Sequence, residues 1–334
     1  MISIKDIAKE CGVSVATVSK ALNDQKDVSK TTKEKVLDVA NRLGYTTNQA
    51  AKALRTKKTD NIGILFTNVG SDISMSHEFF SQILDSFRSA CAKRGYDITF
   101  INNRVGTHKT TYLNHALYRN FDGVAIIAAD FLDTRVRELA TSSIPVVTVD
   151  YMYDNCAAVL SDNKRGIRSI VENAYEKGHR KIAFIHGETT EVTTERLLGF
   201  YAACAELGIK VRNDYLIESK YHDINRCADC LLQLLALDDP PTCIIFSDDY
   251  SMIGAMDAAK RRGINIPENL SFAGYDGIHM AKSLNITTYE QDAHGLGKTA
   301  AIKLIDLIED SNAKPEAVII PGKFFEGATI KKIN

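Results

Sequence analysis

From Asn61 onward, short runs of aliphatic and β-branched residues alternate with longer segments of helical periodicity. This alternation constrains the fold more than any other feature of the chain, because it is typical of parallel sheets joined by right-handed crossover helices. In the first series, strands are predicted at Ile62–Phe66, Tyr96–Ile101, Val124–Ala129 and Val146–Val149, with helices near 77–94, 109–120 and 133–142.

A second series of the same kind follows. Its strands are predicted at Lys181–Ile185, Cys243–Phe246 and Leu270–Ala273, with helices near 164–177, 194–207, 223–237 and 249–262. A last helix near 295–310 and a strand near 317–325 are expected to cross back between the two series. Two such series predict a body made of two α/β subdomains.

The first 45 residues are different and predict three short helices. The segment Ser3–Asp6 fits a capping box, and Gly12 ends the first helix. After a tight turn, Ser14 caps a second helix. A third helix is predicted to open at Thr31–Glu34, again a capping pattern, and to end at Gly44. A helix, a tight turn and a second short helix form the spacing of a helix-turn-helix, whose second helix lies in the major groove of DNA.

The distribution of charge along the chain agrees with the prediction of a DNA-binding helix-turn-helix. The formal net charge of the chain is −1, but residues 1–58 carry +6 and residues 59–334 carry −7. A basic module attached to an acidic body is the electrostatic pattern of a protein that meets a polyphosphate. The positive charge of a small Lys-rich domain can also serve only its solubility. The charge therefore indicates DNA binding only together with the helix-turn-helix spacing.

Small or polar side chains occupy the start and the outer face of the second helix: Ser14, Val15, Ala16, Thr17, Ser19 and Lys20. The three hydroxyl groups among them suit phosphates. The side chains of Val15 and Ala16 suit thymine methyl groups, and Lys20 suits guanine N7 and O6. As a set, they are better explained by DNA contact than by ordinary exposure to solvent.

Several longer motifs carry a family resemblance: Ile4-Lys5-Asp6-Ile7-Ala8, Ala16-Thr17-Val18-Ser19-Lys20, Arg42-Leu43-Gly44-Tyr45, Ser161-Asp162-Asn163, Gly178-His179-Arg180-Lys181 and Gly274-Tyr275-Asp276. Along nearly its whole length, the chain resembles the lactose-repressor/galactose-repressor family of bacterial transcription regulators. The resemblance implies an all-α helix-turn-helix head plus an α/β periplasmic-binding-protein-like body with two parallel-sheet, Rossmann-like subdomains.

The resemblance also implies the domain boundaries. Residues 1–46 would form the DNA-binding domain and 47–59 a hinge helix and linker. Residues 60–334 would form the effector-binding and dimerisation domain. Its first subdomain would comprise about 60–160 with the segment near 292–320, and its second about 161–291 with the C-terminal strand.

On DNA, the resemblance implies that the hinge helix orders when the operator binds and that Leu54 wedges into the minor groove, which is physically plausible for an apolar side chain at a bend. It adds Asn23, Asn48 and Ala51 to the expected DNA contacts. The family usually has Arg at the position of Lys20, and Lys lacks the rigid fork of Arg, so the resemblance does not fix the base preference at this position.

Ligands of open α/β sheets lie beyond the carboxyl ends of the strands. Acidic residues follow predicted strands at Asp150, at Asp248 and Asp249, and at Asp276, where they suit the hydroxyl groups of a sugar, although an aspartate in that position is often only a helix cap. The resemblance implies effector contacts by Phe79, Asp150, Arg196, Tyr221, Asp248, Asp276 and Gln291, with Tyr221 stacking on the ligand. The stretch Asn68–Glu78 is longer than the corresponding family loop.

Motifs of several enzyme classes are incomplete or absent. Gly297-Lys298-Thr299 lacks the first glycine of a phosphate-binding loop, and no G-x-G-x-x-G follows a predicted strand. The C-x-x-C at Cys227–Cys230 lies in a helical pattern without a second pair, which indicates idle thiols. No H-E-x-x-H or G-x-S-x-G occurs. The sequence therefore predicts no catalytic residues, no metal and no cofactor.

Membrane and secreted proteins are not favoured. The longest apolar runs, such as Val124–Ala129, are far shorter than the ~18 residues of a membrane span. The N-terminus carries Lys5, Asp6 and Lys9 in place of the apolar core of a signal peptide. Seven scattered cysteines suggest reduced thiols. These features predict a cytoplasmic protein.

The sequence thus predicts an allosteric repressor that binds palindromic double-stranded operator DNA and a sugar-like effector held between the two subdomains. A homodimer is expected, and a tetramer is not, because the chain shows no Leu-heptad tail before Asn334. Two alternatives stay open: a sugar-binding protein, for which residues 1–56 would have no use, and a cytoplasmic sugar or nucleoside enzyme, which would turn its ligand over.

Overall fold

The chain forms two compact units, Met1–Thr59 and Asp60–Asn334, called here the head and the body. The computed structural model describes residues 2–45, 58–67, 75 and 77–333. Among these residues, no helix is long and apolar enough to span a membrane.

The head contains three helices, α1 (Ile4–Cys11), α2 (Val15–Leu22) and α3 (Lys30–Leu43). The capping box of α1 forms as predicted, and its end at Gly12 has a left-handed backbone with φ of 67°. The inward faces of the helices meet in one small apolar core, in which Ile7, Val18 and Val36 are fully buried.

The predicted start of the third helix at Thr31 is wrong. The helix begins one residue earlier, at Lys30, because Ser29 provides the cap: its Oγ accepts a hydrogen bond from the backbone N of Thr32 at 3.2 Å. Ser29 and Thr31 are both residue types that cap helices, and Ser29 has the extended backbone that an N-cap requires, with ψ of 149°.

The body begins with a lobe built on a six-stranded parallel sheet in the order β13-β7-β6-β5-β1-β2. Its strands are β1 (Asn61–Phe66), β2 (Asp97–Ile101), β5 (Gly123–Ala128), β6 (Val146–Val149), β7 (Ala157–Ser161) and β13 (Ala317–Ile320), with a short hairpin of β3 (Arg104–Val105) and β4 (His108–Lys109). Helices α4 (Glu78–Lys93) and α12 (Ala293–Glu309) cover one face, and α5 (Tyr112–Arg119) and α6 (Thr134–Ala140) cover the other.

The second lobe has a four-stranded parallel sheet in the order β11-β10-β8-β9. Its strands are β8 (Ile182–His186), β9 (Leu216–Glu218, after a 3-10 turn at Asn213–Tyr215), β10 (Cys243–Phe246) and β11 (Ser271–Ala273). Helices α7 (Asn163–Glu176) and α8 (Glu191–Glu206) pack on one face, and α9 (Ile224–Leu235) and α10 (Asp249–Lys260) pack on the other. The short helix α11 (His279–Ser283) precedes the antiparallel pair β12 (Thr288–Glu290) and β14 (Lys323–Phe325).

The single strand predicted near 317–325 is wrong. Pro321 and Gly322 divide it into β13, which joins the sheet of the first lobe, and β14, which pairs with β12 in the second. The sequence patterns also do not predict β7, since its alanine-rich segment has low β propensity.

The chain passes between the lobes three times, after β7, after β12 and after β13. Hydrogen bonds join these passages: Asp162 N donates to Ile320 O at 3.3 Å, and Gly322 N donates to the hydroxyl of Tyr289 at 2.8 Å. Adjacent, mutually bonded crossovers provide the kind of hinge about which two lobes can close.

All seven cysteines are free and buried. Cys227 and Cys230 both lie in α9, where Cys227 Sγ is 3.1 Å from Ser219 Oγ. Burial raises the pKa of the Cys227 thiol to about 11. Thiols that are buried and protonated in this way are unreactive, as expected for structural cysteines.

Candidate functional site

Helix α2 of the head presents its first turn to solvent. The side chains of Val15 and Ala16 are exposed, Val15 to 39%. Ser14 Oγ accepts a hydrogen bond from Thr17 N at 3.0 Å and lies 2.8 Å from Thr17 Oγ1. These two hydroxyl groups therefore organise the start of the helix, and the apolar pair beside them is available to a partner surface.

Lys20 and Asn23 already have partners in the head. Lys20 Nζ forms an ion pair with Asp27 in which both side chains are about half exposed. An exposed pair of this kind is worth about 1 kcal/mol at most, so a guanine or a phosphate can replace Asp27 at little cost. The amide of Asn23 donates to the backbone oxygen of Ser19, at the last turn of α2. DNA contact by these residues stays a prediction.

Three other predicted DNA contacts, Asn48, Ala51 and Leu54, lie outside the described residues. The same holds for most of the predicted hinge and linker. Their roles rest on the sequence alone and stay predictions.

In the body, a cavity of about 150 Å³ lies between the two lobes. The first lobe contributes His77, Phe79, Phe80, Ile127, Ala128, Ala129, Phe131, Val149, Asp150 and Tyr151 to its lining, and the second contributes Glu188, Thr190, Glu191, Val192, Arg196, Tyr221, His222, Asp276 and Gln291. Six of the seven residues predicted to contact an effector are therefore brought together here, because they follow the carboxyl ends of strands that face each other across the cleft.

The guanidinium of Arg196 is the central cation of the cavity wall. It is buried, donates from Nε to Asn163 Oδ1 at 2.9 Å and donates from Nη1 to Ser247 O at 2.8 Å. Its Cζ lies 3.7 Å from the ring centre of Tyr275. Nη2 is 3.9 Å from Asp276 Oδ1. The group is thus rigidly held, with donors remaining on Nη1 and Nη2 for a ligand.

Asp276 faces Arg196 and is nearly inaccessible to solvent. Its Oδ1 also accepts a hydrogen bond from Gln291 Nε2 at 2.8 Å. Burial raises the pKa of Asp276 to about 6, although the charge of Arg196 and the bond from Gln291 favour the ionised form. Near neutral pH this carboxyl can accept a hydrogen bond from a hydroxyl group, and at slightly acid pH it can donate one.

The raised pKa of Asp276 predicts a pH-dependent stability of the body. The carboxyl titrates near pH 6 in the folded chain and at its ordinary value of 3.8 in the unfolded chain. The folded state therefore binds more protons between these values, and the contribution of Asp276 to the free energy of unfolding falls as the pH rises from about 4 to about 6. Relative to Asp276→Asn, wild type should lose up to about 3 kcal/mol over this range.

Urea unfolding of the body, measured from pH 4 to pH 7.5 in wild type and in Asp276→Asn, checks this prediction. Asp257→Asn serves as the control, because Asp257 is 62% exposed and pairs with Arg261 on the surface. A difference between wild type and Asp276→Asn that does not change with pH would contradict the raised pKa.

Asp150 lies on the opposite wall, directly after β6. Its carboxylate accepts hydrogen bonds from Ser161 N at 2.6 Å and from Ser161 Oγ at 3.1 Å. Burial raises the pKa of Asp150 despite these bonds and the nearby charge of Arg196. The backbone of Asp150 is left-handed, with φ of 55°, and φ of Asp276 is 104°. Strained backbone at two facing carboxylates is typical of a functional site.

Tyr221 forms an aromatic wall of the cavity. Its hydroxyl lies 2.9 Å from Thr193 Oγ1, and its backbone N donates to Glu188 Oε2 at 2.8 Å. The ring lies directly over Gly187, where a Cβ would come within 2.2 Å of Tyr221 Cε2. Only glycine permits this approach, so Gly187 fixes the plane that Tyr221 offers to a ligand.

Asp248 does not line the cavity. Its fully buried carboxylate caps α10 through Ser251 N at 2.8 Å and accepts from His222 N at 3.1 Å. His222 Nδ1 lies 3.2 Å from Asp248 Oδ1, so the carboxylate also orients that ring. The geometry supports a positioning role for Asp248 behind the cavity wall and not a direct contact with an effector.

His77 and His222 join the two lobes at the cavity. His77 Nε2 is 3.2 Å from His222 Nδ1, which also faces Asp248. A carboxylate only accepts, so His222 carries the proton on Nδ1 and His77 Nε2 accepts. Burial, with the charge of His222, lowers the pKa of His77 to about 3. Burial also acts to lower the pKa of His222, but the bond to Asp248 and its charge outweigh this, and the net pKa is raised.

Both the head and the body match families of known proteins. Residues 3–48 match the model of "Bacterial regulatory proteins, lacI family", and residues 171–330 match that of "Periplasmic binding protein-like domain". The chain belongs to the LacI family. The predicted family and the predicted fold class are thereby confirmed.

Among individual relatives, the HTH-type transcriptional repressor PurR of Mannheimia succiniciproducens is 28% identical over the full length of both chains. The structure of a lac repressor dimer bound to operator and the anti-inducer ONPF is 24% identical and covers 99% of each chain, with a TM-score of 0.81. A complex of the transcriptional regulator CelR with cellobiose is 21% identical and covers 98% of this chain and 100% of that chain, with a TM-score of 0.72. Both structures share the fold of this LacI-family chain.

Several residues of the cavity are not predicted from the sequence of this LacI-family chain: His77, Phe80, Phe131, Tyr151, Glu188, Glu191 and His222. Phe80, Tyr151 and His222 are each adjacent to a predicted contact, but the others follow no motif, and only the packing of the two lobes brings them together. Within the described part of the chain, no cluster of three or more His, Cys, Asp or Glu side chains could hold a metal ion.

Proposed function

We propose that this LacI-family chain is a transcriptional repressor that binds a palindromic operator as a homodimer and is controlled by a sugar-like effector in the interlobe cavity. The observation that carries the proposal is the meeting of Arg196, Asp150 and Asp276 in an aromatic-walled cavity of a chain whose head matches the lacI DNA-binding model. The chain is a DNA-binding regulator and not an enzyme, as its repressor relatives indicate.

The head supports DNA binding through α2. Its first turn offers two apolar side chains, Val15 and Ala16, next to hydroxyl groups, and Lys20 adds a charge that a surface ion pair holds only weakly. Such a set can touch thymine methyl groups, phosphates and a guanine edge in the major groove. The net charge of +6 over residues 1–58 favours approach to DNA.

The cavity supports a small, hydroxyl-rich ligand. Its volume of about 150 Å³ is of the order that admits a single six-membered ring. Arg196 supplies donors, Asp150 and Asp276 supply acceptors, and the rings of Phe79 and Tyr221 supply apolar surface for the C–H face of a sugar. This combination of a few polar groups with aromatic walls is typical of small-molecule sites.

The three crossovers and the contact between His77 and His222 supply a physical route for control. A ligand that touches both lobes stabilises the closed arrangement by its differential affinity for that state. Closure changes how the first lobes of two protomers are related, and we infer that this change reaches the DNA-binding heads.

Two structures of similar proteins support the proposed DNA, protein and ligand partners. The lac repressor structure contains a dimer on operator DNA, and the CelR structure contains cellobiose. By analogy, we infer a homodimer, an operator and a carbohydrate effector for this chain, and a cytoplasmic location, where a repressor meets DNA. A transporter's sugar-binding protein or a sugar enzyme would not account for a head that matches a DNA-binding family.

Selection of DNA by the full-length chain tests the proposal. After binding to random duplex DNA, the enriched sequences should be palindromic, and sedimentation should find two protomers on each selected duplex. A duplex with the selected bases in shuffled order is the control. The absence of sequence enrichment, or a single protomer on the selected duplex, would contradict the proposal.

A further inference from the structure

The charges around the interlobe cavity are unbalanced. Among its described lining residues, four carry carboxyl groups and one carries a cationic side chain, namely Asp150, Glu188, Glu191 and Asp276 against Arg196. His222 also lines the cavity, but it pairs with Asp248 directly behind the wall and adds no net positive charge.

The single guanidinium already has acidic neighbours. Arg196 lies 3.9 Å from Asp276, and its charge also acts on Asp150. Two further N–H groups donate to Asn163 and to the backbone oxygen of Ser247. Arg196 therefore retains hydrogen-bond donors for a ligand, but its positive charge is offset by the two carboxylates that face it.

The second lobe adds two acidic side chains without a cation from the lining. Glu188 accepts a hydrogen bond from Tyr221 N at 2.8 Å, and Glu191 begins α8 on the same side of the cavity. A phosphate or carboxylate that enters must give up its water and then face this excess of negative charge, which is unfavourable in a confined site. A hydroxyl group meets no such penalty and can donate to the same carboxylates.

We infer that the effector is an electrically neutral sugar and that the cavity excludes phosphorylated sugars and uronic acids. The inference rests on the proposed function of this cavity as the effector site. The ring oxygen of a neutral sugar accepts from Arg196, its hydroxyl groups donate to Asp150 and Asp276, and its C–H face packs on Tyr221. The acidic wall, more than the shape of the cavity, sets this preference.

Binding of matched ligands to the full-length chain tests the inference. The probes are D-glucose and D-galactose, the 6-phosphates of these two hexoses, and two isosteric pairs, glucuronate with glucuronamide and galacturonate with galacturonamide. Affinities are measured by calorimetry at pH 7.5. At least one neutral probe should bind, and every anionic probe should bind at least about 100-fold more weakly than its neutral counterpart. An anionic probe that binds as tightly as its neutral counterpart, or a panel without a neutral binder, would overturn the inference.

Removal of the acidic charges separates electrostatic exclusion from steric exclusion. In Glu188→Gln, the ratio of uronate to uronamide affinity should rise about fivefold, and in Glu191→Gln, whose side chain is exposed to solvent, it should rise less. Glu195→Gln is the matched control, because Glu195 lies on the same helix as Glu191 but pairs with Lys164 at 2.9 Å outside the cavity, and its ratio should not change. An unchanged ratio in both cavity variants would refute an electrostatic cause.

The outcome is distinguishable from a failure of the proposed function. If the chain selects a palindromic duplex and an anionic probe alters its affinity for that duplex, the repressor assignment stands and the neutral-ligand inference falls. If neutral sugars bind and no duplex is selected, the reverse holds.

Discussion

Replacing Arg196 by alanine is expected to abolish the thermal stabilisation that a neutral sugar confers on the full-length chain, while the folded variant still binds operator DNA. The guanidinium is buried between Tyr275, Asn163 and the facing carboxylate of Asp276. Its loss removes a rigidly held group of donors from the cavity and leaves the buried carboxylate of Asp276 without its cation. Breaking such a pair costs about 3–5 kcal/mol, so the melting temperature of the body should fall by about 10 °C.

Two further variants separate lost binding from lost folding. Arg196→Lys keeps the charge without the planar fork, and it should fold with a smaller loss of stability but retain less than about a tenth of the sugar affinity. Arg261→Ala is the matched control, because its guanidinium is 70% exposed and pairs with Asp257 at 2.7 Å, and it should change neither property measurably. Full sugar stabilisation in Arg196→Lys and Arg196→Ala would remove Arg196 from the effector site.

Replacing Ala16 by glutamate is expected to lower the affinity for the selected operator by at least about 100-fold. Ala16 lies exposed in the first turn of α2, two residues after the cap Ser14. A glutamate there occupies the space next to the base edges and repels the phosphates. It should not destabilise the head, because an acidic side chain near a helix N-terminus is favourable. Fluorescence anisotropy with the selected duplex gives the affinity.

Asn41→Glu adds the same charge at an exposed position of α3 and is the matched control. Its operator affinity should fall by less than about fivefold, since the added charge acts only through general repulsion of DNA. Because Asn41 lies in the last turn of α3, where a negative charge is slightly unfavourable, the control should be no more stable than Ala16→Glu, so a lower stability of the head cannot explain a selective loss of affinity in Ala16→Glu. Equal losses of affinity in the two variants would show that the first turn of α2 does not contact the operator directly.

Much of the fold follows from local sequence. The helices of the head, their caps at Ser3 and Ser14, and the main alternation of strands and helices in the body match the prediction to within a few residues. These elements are specified by apolar periodicity and by capping residues, both of which act over a few positions. Two errors arose where local patterns compete, at Ser29, two residues before Thr31, and at Pro321, which divides one apolar run into two strands, and β7 was missed because its segment has low β propensity.

The cavity was predictable only in part. Six of the seven expected effector contacts line it, and these expectations came from strand ends and from motifs shared with a family. Asp248 also follows a strand, but its carboxylate accepts hydrogen bonds from Ser251 N at the start of α10 and from His222 N. It therefore caps a helix, and this role depends on the positions of Ser251 and His222 in the folded chain. No pattern in the sequence distinguishes a capping aspartate from one that faces a ligand.

By itself, the sequence determined that a basic helix-turn-helix precedes an acidic α/β body, because helix caps, apolar periodicity and charge are properties of neighbouring residues. Only the tertiary structure decided which carboxylates share a wall with Arg196, that His77 meets His222 across the cleft, and that the cavity is acidic. These facts depend on contacts between residues far apart in the chain, which form only when packing of the sheets and the three crossovers brings the two lobes face to face.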